Sequence, residues 1–175
     1  TLYFENGEII SLDNYYFINL DNQSSLQINN ITIPSPCISI SFIYGFSPND
    51  NESNLYLNDG NNFHNLMFWP DVMGGGYHYM KLEGRYIDQL GEEQFYNTHT
   101  GGLGGVDYSK TIDLPVNYII EENQSKIYID MNINNLYNNP IYNFNDFGAA
   151  IMGSAEAQEI LQNNMLDVFN AICIL

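Results

Sequence analysis

The sequence predicts a mainly β fold, an antiparallel β-sandwich with one short C-terminal helix. Short segments rich in Ile, Tyr and Phe alternate with clusters of Asn, Gly and Pro, a pattern typical of strands joined by turns. Only one stretch, near the C-terminus, has the spacing of an amphipathic helix. Many short strands and one helix are typical of two packed sheets. A length of 175 residues predicts a single domain over 1–175.

The N-terminal elements follow from turn chemistry and composition. Asn6-Gly7 separates two apolar segments, and Asn-Gly is a strong signal for a tight hairpin turn. Further strands are predicted where aromatic and β-branched residues cluster, or where serine alternates with apolar residues. The predicted elements are a hairpin over 1–10 and strands over Asn14–Leu20, Leu26–Ile33 and Cys37–Tyr44.

The C-terminal elements follow from the same signals. Ser154 is a suitable N-cap for the predicted helix, whose apolar side would hold Ala155, Ile160, Leu161 and Met165. Asn123-Gln124-Ser125 is predicted to be a turn. The predicted strands are Tyr77–Glu83, Glu93–His99, one or two strands within Asp107–Ile120, Lys126–Ile133 and Val168–Leu175.

The composition excludes several classes of protein. A hydrophobic content of 45% with 14% aromatic residues argues against intrinsic disorder. The net charge of -17, with only four Lys and Arg residues, argues against binding to nucleic acid or to an anionic membrane surface. No apolar run is long enough for a membrane span. An acidic surface of this kind attracts cations.

The start of the chain and its two cysteines bear on the compartment. The chain begins at Thr1 without Met, and we expect a processed or trimmed start. Cys37 and Cys173 lie far apart in apolar segments. They are either two buried thiols or, in an oxidising compartment, a disulfide.

The segment 62–84 concentrates residues that bind soft or borderline metals. It contains His64 and His78 together with three methionines, two of which, Met67 and Met80, are candidate ligands. It also contains the only tryptophan, Trp69. A lone tryptophan is usually a core or interface anchor, and beside metal ligands it is also a candidate for a redox-active or modified residue.

The predicted strands suggest how these ligands meet. His78 is expected on the strand face of Met80 and Leu82, and His99 ends the following strand. If the two strands pair as a hairpin, His78 and His99 can approach each other. Together with His64, Met67 or Met80 they would form a copper site, because imidazole suits copper and thioether sulfur favours Cu(I). The alternative is that each histidine only makes hydrogen bonds in its strand or loop.

Other functional readings are weaker. The Asn- and Asp-rich segment around Pro48 to Asn51 is a solvated loop or a calcium loop, although it lacks the acid spacing of an EF-hand. No Gly-x-Ser-x-Gly or His-Glu-x-x-His motif is present, and neither cysteine has a neighbouring histidine. A glycosidase carboxylate pair is not excluded, but none stands out. We therefore predict a protein that is not an enzyme.

Three segments resemble the MbnP-like family. They are Met67-Phe68-Trp69, the stretch from Gly76 to Gly84 and the stretch from Phe95 to Gly101, which match its Met-aromatic-Trp, Gly-Tyr-x-x-(Met/Leu)-Lys-Leu-Glu-Gly and His-x-Gly elements. Phe42 through Asn51, Ile151-Met152 and Asp167-Val168-Phe169 look like further parts of the family, so that the resemblance covers most of residues 14–170. His78 stands where the family often has an apolar residue, and the Pro-Asp and triple-glycine segment after Trp69 also departs from its pattern.

The resemblance implies an exported bacterial β-sandwich protein linked to copper, periplasmic or at the cell surface, in some cases lipid-anchored. Some relatives bind copper through histidines and an oxidised tryptophan, kynurenine, which a partner dihaem peroxidase makes. Carried over, His99 is the best-matched ligand and Trp69 the best-matched modifiable residue. The resemblance also implies that an N-terminal portion of the protein precedes this chain.

The leading hypothesis is therefore an exported copper-binding protein. The alternative is a cell-surface structural β-sandwich, or one that binds carbohydrate or another ligand, with or without calcium. Convergent His78 and His99 would favour copper, and separated histidines would favour the alternative. An exposed row of aromatic side chains would favour carbohydrate.

Overall fold

The computed structural model describes residues 1–12, 15–121 and 125–175. Within them the chain is mainly β, with its strands in two sheets and one short C-terminal helix, which confirms the predicted fold class. The strands are β1 Leu2–Phe4, β2 Ile9–Ile10, β3 Cys37–Tyr44, β4 Met80–Ile87, β5 Glu93–Thr100, β6 Lys110–Ile119, β7 Lys126–Met131 and β8 Phe169–Ile174. The α-helices are α1 Phe63–Met67, α2 Phe144–Phe147 and α3 Ala155–Asn164.

The chain divides into two compact units. The first, here called the sheet unit, comprises Thr1–Phe42, Ile112–Met131 and Phe169–Leu175. The second, here called the site unit, comprises Ile43–Thr111 and Asn132–Val168. The single domain over 1–175 and the preceding N-terminal portion stay predictions.

The larger sheet has the strand order β2-β1-β3-β6-β8-β7. The predicted N-terminal hairpin is present as β1 and β2, and Gly7 takes the positive φ of 85° that its turn requires. Side chains of β6 alternate between buried and exposed, with Ile112, Leu114 and Val116 buried. The pair of β6 and β8 runs parallel and so departs from the predicted antiparallel pattern.

The two cysteines are free and fully buried in the sheet unit. Cys37 lies on β3 and Cys173 on β8, with β6 between them. Two strand spacings amount to about 10 Å, whereas a disulfide needs Cα atoms within about 7 Å. Burial, and then the nearby Cys173, raise the pKa of the Cys37 thiol. The arrangement fits two buried, unreactive thiols.

The site unit is built on the hairpin of β4 and β5. Its register pairs Met80 with Thr100, Lys81 with His99, and so on to Ile87 with Glu93. Helix α3 begins as predicted, since the Ser154 hydroxyl accepts a hydrogen bond from the Ala157 N–H at 3.2 Å.

Three sequence predictions require correction. No strand forms over residues 15–20 or over Leu26–Ile33; Asn14 lies outside the described residues, as do Asn123 and Gln124 of the predicted turn. Ser25 exchanges hydrogen bonds of 2.8 Å with the backbone of Asn19, a local alternative to strand pairing. The strand predicted from Tyr77 begins only at Met80.

The buried side of α3 is also more polar than predicted. Leu161 is buried as expected, but Ala155 is exposed, and Gln158 and Asn164 are buried in its place. No helix in the described part of the chain has both the length and the apolar character that a bilayer crossing requires.

Candidate metal site

The candidate site begins with a tight reversal of the chain before β4. Gly74, Gly75 and Gly76 all have positive φ, a conformation that glycine adopts without steric cost. The reversal returns the chain along itself. The backbone N–H of Trp69 donates to the Gly76 carbonyl at 2.9 Å, and the backbone N–H of His78 donates to the Met67 carbonyl at 2.7 Å. These two bonds place His78 beside Trp69.

The Asn-rich loop before α1 supports this reversal. The Asn51 side chain accepts from the Tyr77 N–H at 2.8 Å, and the Ser53 hydroxyl accepts from the Gly76 N–H at 2.9 Å. Loop polar groups thus satisfy backbone donors that have no strand partner.

His78 has one ring nitrogen engaged and one without a partner. Its Nδ1 lies 3.0 Å from the Met67 carbonyl, and because a carbonyl only accepts, Nδ1 carries the hydrogen. Burial is the main cause that lowers the pKa of His78 to about 4, so the ring is neutral at pH 7. Nε2 therefore presents a lone pair. It is buried and finds no hydrogen-bond partner among the described residues.

His99 also has one nitrogen engaged. Its Nε2 lies 2.8 Å from Oε1 of Glu83, and because a carboxylate only accepts, Nε2 carries the hydrogen. In the neutral ring the lone pair is then on Nδ1. An imidazole held by a carboxylate through one nitrogen is the usual arrangement of a metal-ligating histidine. In the hairpin register, Lys81 is opposite His99, and Glu83 lies two residues further along β4 on the same face.

The two imidazoles lie against each other. Their ring centroids are 5.1 Å apart and their planes are nearly perpendicular, at 82°. A metal ion such as zinc lies about 2.0–2.1 Å from a ligating imidazole nitrogen, so two rings that share one ion must lie close together, as these two do. The predicted approach of His78 to His99 is therefore present in the structure.

The predicted face of His78 was wrong. Met80 is in register with Thr100, whereas His99 is in register with Lys81, so Met80 and His99 occupy opposite faces of the hairpin. His78 contacts His99 and so does not share the face of Met80. The reason is that residues 77–79 precede β4, and strand alternation does not extend to them.

Trp69 packs directly on this pair. Its side chain is fully buried, and its ring centroid lies 4.7 Å from that of His78. The backbone of Gly101 lies on the indole, because a Cβ there would come within 2.8 Å of ring atoms. The indole N–H is buried and has no partner among the described residues.

Gln158 of α3 holds the end of β5 in place. Its side-chain amide donates to the His99 carbonyl at 2.9 Å, and its carbonyl accepts from the Gly101 N–H at 3.2 Å. The side chain is 1% exposed. One buried amide thus fixes the backbone of both the histidine and the glycine that touches the indole.

The other candidate ligands lie elsewhere. His64 is half-buried, with Nδ1 3.0 Å from the Tyr77 hydroxyl and its ring against Phe68 and Tyr77. Met67 holds His78 through its main-chain carbonyl, and Met80 is on the hairpin face opposite His99. The geometry brings His78 and His99 together and does not bring His64 or Met80 to them. Their role as ligands stays a prediction.

No group of three or more His, Cys, Asp or Glu side chains suited to a metal ion occurs in the parts of the chain that the structure describes. The two imidazoles, each with a lone pair available, are the donors that the geometry brings together. Imidazole suits copper, as it suits zinc, iron and nickel, so these donors fit copper. In the Asn- and Asp-rich segment that was the candidate calcium loop, the Asn51 side chain accepts a hydrogen bond from the Tyr77 N–H. Calcium binding there stays a prediction.

Sequence reasoning missed three residues that shape the site. Glu83 could have been found from the hairpin register, because strand alternation places it on the face of Lys81 and His99. Gln158 could have been noticed as a polar residue next to the apolar positions of α3. Nothing in the sequence pattern points to the contact of Gly101 with Trp69.

Fold and site together define a mainly β protein in which a buried histidine, a buried tryptophan and a half-buried histidine form a cluster. The family model MbnP matches residues 1–153, so the chain belongs to the MbnP family. The match contains His78, His99 and Trp69, whereas the supporting residue Gln158 lies beyond it. No curated protein and no solved structure matches the chain.

Proposed function

We propose that the chain is an exported copper-binding protein without enzymatic activity, and that His78 and His99 are its copper ligands. One observation carries the proposal. His78 presents a buried lone pair on Nε2 that no described group uses, and the ring of His99 lies 5.1 Å away. A buried acceptor without a partner costs about 1–3 kcal/mol, and a bound metal ion would offset that cost.

The surrounding charges support a cation at this place. The net charge of -17 attracts cations over the whole surface, and Glu83 adds a carboxylate on the far nitrogen of His99. Lys81 opposes it, because this positively charged residue pairs with His99 in the hairpin register. The Lys81 ammonium is held by the Leu66 carbonyl at 3.2 Å.

Trp69 is the residue we propose as the site of oxidative modification. It lies against His78, and its indole N–H has no partner within the described ranges, so a change of ring chemistry would break no hydrogen bond seen for the side chain. The resemblance to relatives with kynurenine motivates this proposal, together with a dihaem peroxidase as partner and a periplasmic or cell-surface location, with a lipid anchor as one form.

The test is copper titration of the purified protein. Cu(I) is followed by competition with a chromophoric chelator and Cu(II) by visible and EPR spectroscopy, and the variants are His78→Ala and His99→Ala. His64→Ala is the matched control, because it removes the third imidazole from outside the pair. We expect one copper ion per chain in the wild type and the control, and affinity at least ~100-fold lower in either ligand variant. Peptide mass spectrometry of the same samples reports whether Trp69 is oxidised.

Binding that is absent in the wild type, or that survives both ligand substitutions, would contradict the proposal. The structural or ligand-binding β protein would then be the better description.

A further inference from the structure

The hydroxyl of Tyr77 is fully enclosed and has two partners. Tyr77 is 0% exposed. The Tyr56 N–H donates to its oxygen at 2.9 Å, and Nδ1 of His64 lies 3.0 Å from the same oxygen. The copper proposal uses neither Tyr77 nor His64.

The direction of the second bond follows from counting hydrogens. The backbone N–H of Tyr56 can only donate, so it cannot accept the phenolic hydrogen of Tyr77. If Nδ1 of His64 also donated, that buried hydrogen would lack an acceptor, at a cost of about 1–3 kcal/mol. The arrangement that satisfies both groups has Tyr77 donating to a lone pair on Nδ1 of His64.

The surroundings of Tyr77 are aromatic. The ring of Phe63 stacks on it with centroids 5.1 Å apart, Tyr56 lies at 5.1 Å and Phe46 at 6.1 Å. Such apolar surroundings disfavour the phenol radical cation that would form if only the electron left. Loss of an electron from this ring is therefore favourable only when its proton leaves as well.

His64 is placed to receive that proton. Imidazole is a stronger base than a carboxylate and much stronger than an alcohol. The half-buried ring of His64 also allows its cationic form to contact water. Tyr44 lacks such a base, because its hydroxyl pairs at 2.6 Å with the hydroxyl of Thr100.

We propose that Tyr77 and His64 form a proton-coupled redox pair. A one-electron oxidant takes one electron from Tyr77, the O–H bond breaks, and the proton moves to Nδ1 of His64. The products are a neutral phenoxyl radical and an imidazolium ion, and one returning electron reverses the step. Tyr77 is the residue before His78 in the chain. Copper takes no part in the step, and the test uses copper-free protein.

The experiment generates ruthenium(III) tris-bipyridine by a laser flash as the external one-electron oxidant. Tyrosyl radicals are followed by time-resolved absorption and by EPR. Because the chain has fourteen tyrosines, each variant is read as its difference from the wild type. Tyr77→Phe should remove one radical component. Tyr44→Phe, the loss of a buried hydroxyl with no base beside it, should leave that component in place.

His64→Gln separates proton acceptance from a merely structural role. The Gln amide oxygen accepts the same hydrogen bond but does not accept a proton. We expect the Tyr77 component to form at least ~10-fold more slowly in His64→Gln, with an unchanged circular dichroism spectrum. Wild-type kinetics in His64→Gln, or a radical signal unaffected by Tyr77→Phe, would overturn the proposal. His64→Gln retains Tyr77, so it decides the matter even where Tyr77→Phe fails to fold.

Discussion

At the residue scale, the site is defined by which ring nitrogens are already engaged. His78 gives its Nδ1 hydrogen to the Met67 carbonyl, and His99 gives its Nε2 hydrogen to Glu83. Each ring is thereby oriented and has one lone pair for a metal. A carboxylate partner raises the basicity of the imidazole that it holds, so Glu83 should strengthen copper binding without touching the ion.

Glu83→Gln tests this residue. The amide oxygen of Gln can still accept from His99, but the negative charge is lost, and we expect copper affinity to fall about 10–100-fold. Glu93→Gln is the control, because it removes the same charge from the same hairpin at a carboxylate paired with Arg85. Chelator competition measures both. An equal loss in the two variants would mean that net charge, and not the contact with His99, governs affinity.

At the scale of elements, α3 and the hairpin are joined by one side chain. Gln158 satisfies the His99 carbonyl and the Gly101 N–H. The helix thereby positions a candidate ligand on β5. This link explains why a polar residue occupies the buried side of α3.

Gln158→Leu should destabilise the protein by about 2–4 kcal/mol, since it leaves a buried donor and a buried acceptor without partners. Gln162→Leu is the matched control one turn further along α3, where the side chain is half-buried and donates once, to the Ser109 carbonyl at 2.9 Å. We expect a loss of about 1 kcal/mol there. Urea unfolding followed by tryptophan fluorescence compares the two. Equal losses would show that the contacts of Gln158 are no more important than those of a half-buried helix residue.

The elements that sequence predicted well are those with a local signal. Asn6-Gly7 determined the first hairpin, alternation determined Cys37–Tyr44, and Ser154 capped α3. The failures lie where apolar composition was taken for strand. Residues 15–33 have the aromatic and β-branched content of strands, yet no strand forms there, and Ser25 bonds to the backbone of Asn19 instead.

The candidate site was predicted in part for the same reason. His78, His99 and Trp69 stood out by residue type, and their proximity was anticipated from the hairpin. The side of the hairpin on which His78 lies was not anticipated. It depends on the backbone path before Met80, where the side chains of Asn51 and Ser53 accept hydrogen bonds from backbone N–H groups in place of a strand partner. The contacts of Gln158 with His99 and Gly101 join residues far apart in the chain, and hydrophobic periodicity does not reveal such contacts.

At the scale of the whole molecule, charge is the dominant feature. The chain carries 21 acidic residues against four Lys and Arg. In the described part of the chain, Arg85 with Glu93 is the one ion pair between a Lys or Arg and a carboxylate. With acidic residues in such excess, repulsion between carboxylates acts against the folded state.

Added salt should therefore stabilise the copper-free protein. Raising ionic strength from about 0.01 M to about 0.15 M shortens the screening length from about 30 Å to about 8 Å, which weakens repulsion between distant carboxylates. We expect the free energy of unfolding in urea at pH 7 to rise by on the order of 1 kcal/mol. NaCl and KCl should act alike, because screening depends on ionic strength. A variant that neutralises three exposed acids, Asp113→Asn, Asp130→Asn and Glu159→Gln, should respond less to salt, since less repulsion remains to be screened. A stability that falls with salt in the wild type would instead mean that local attractions, such as the pairs of Glu83 and Glu93, outweigh the net charge.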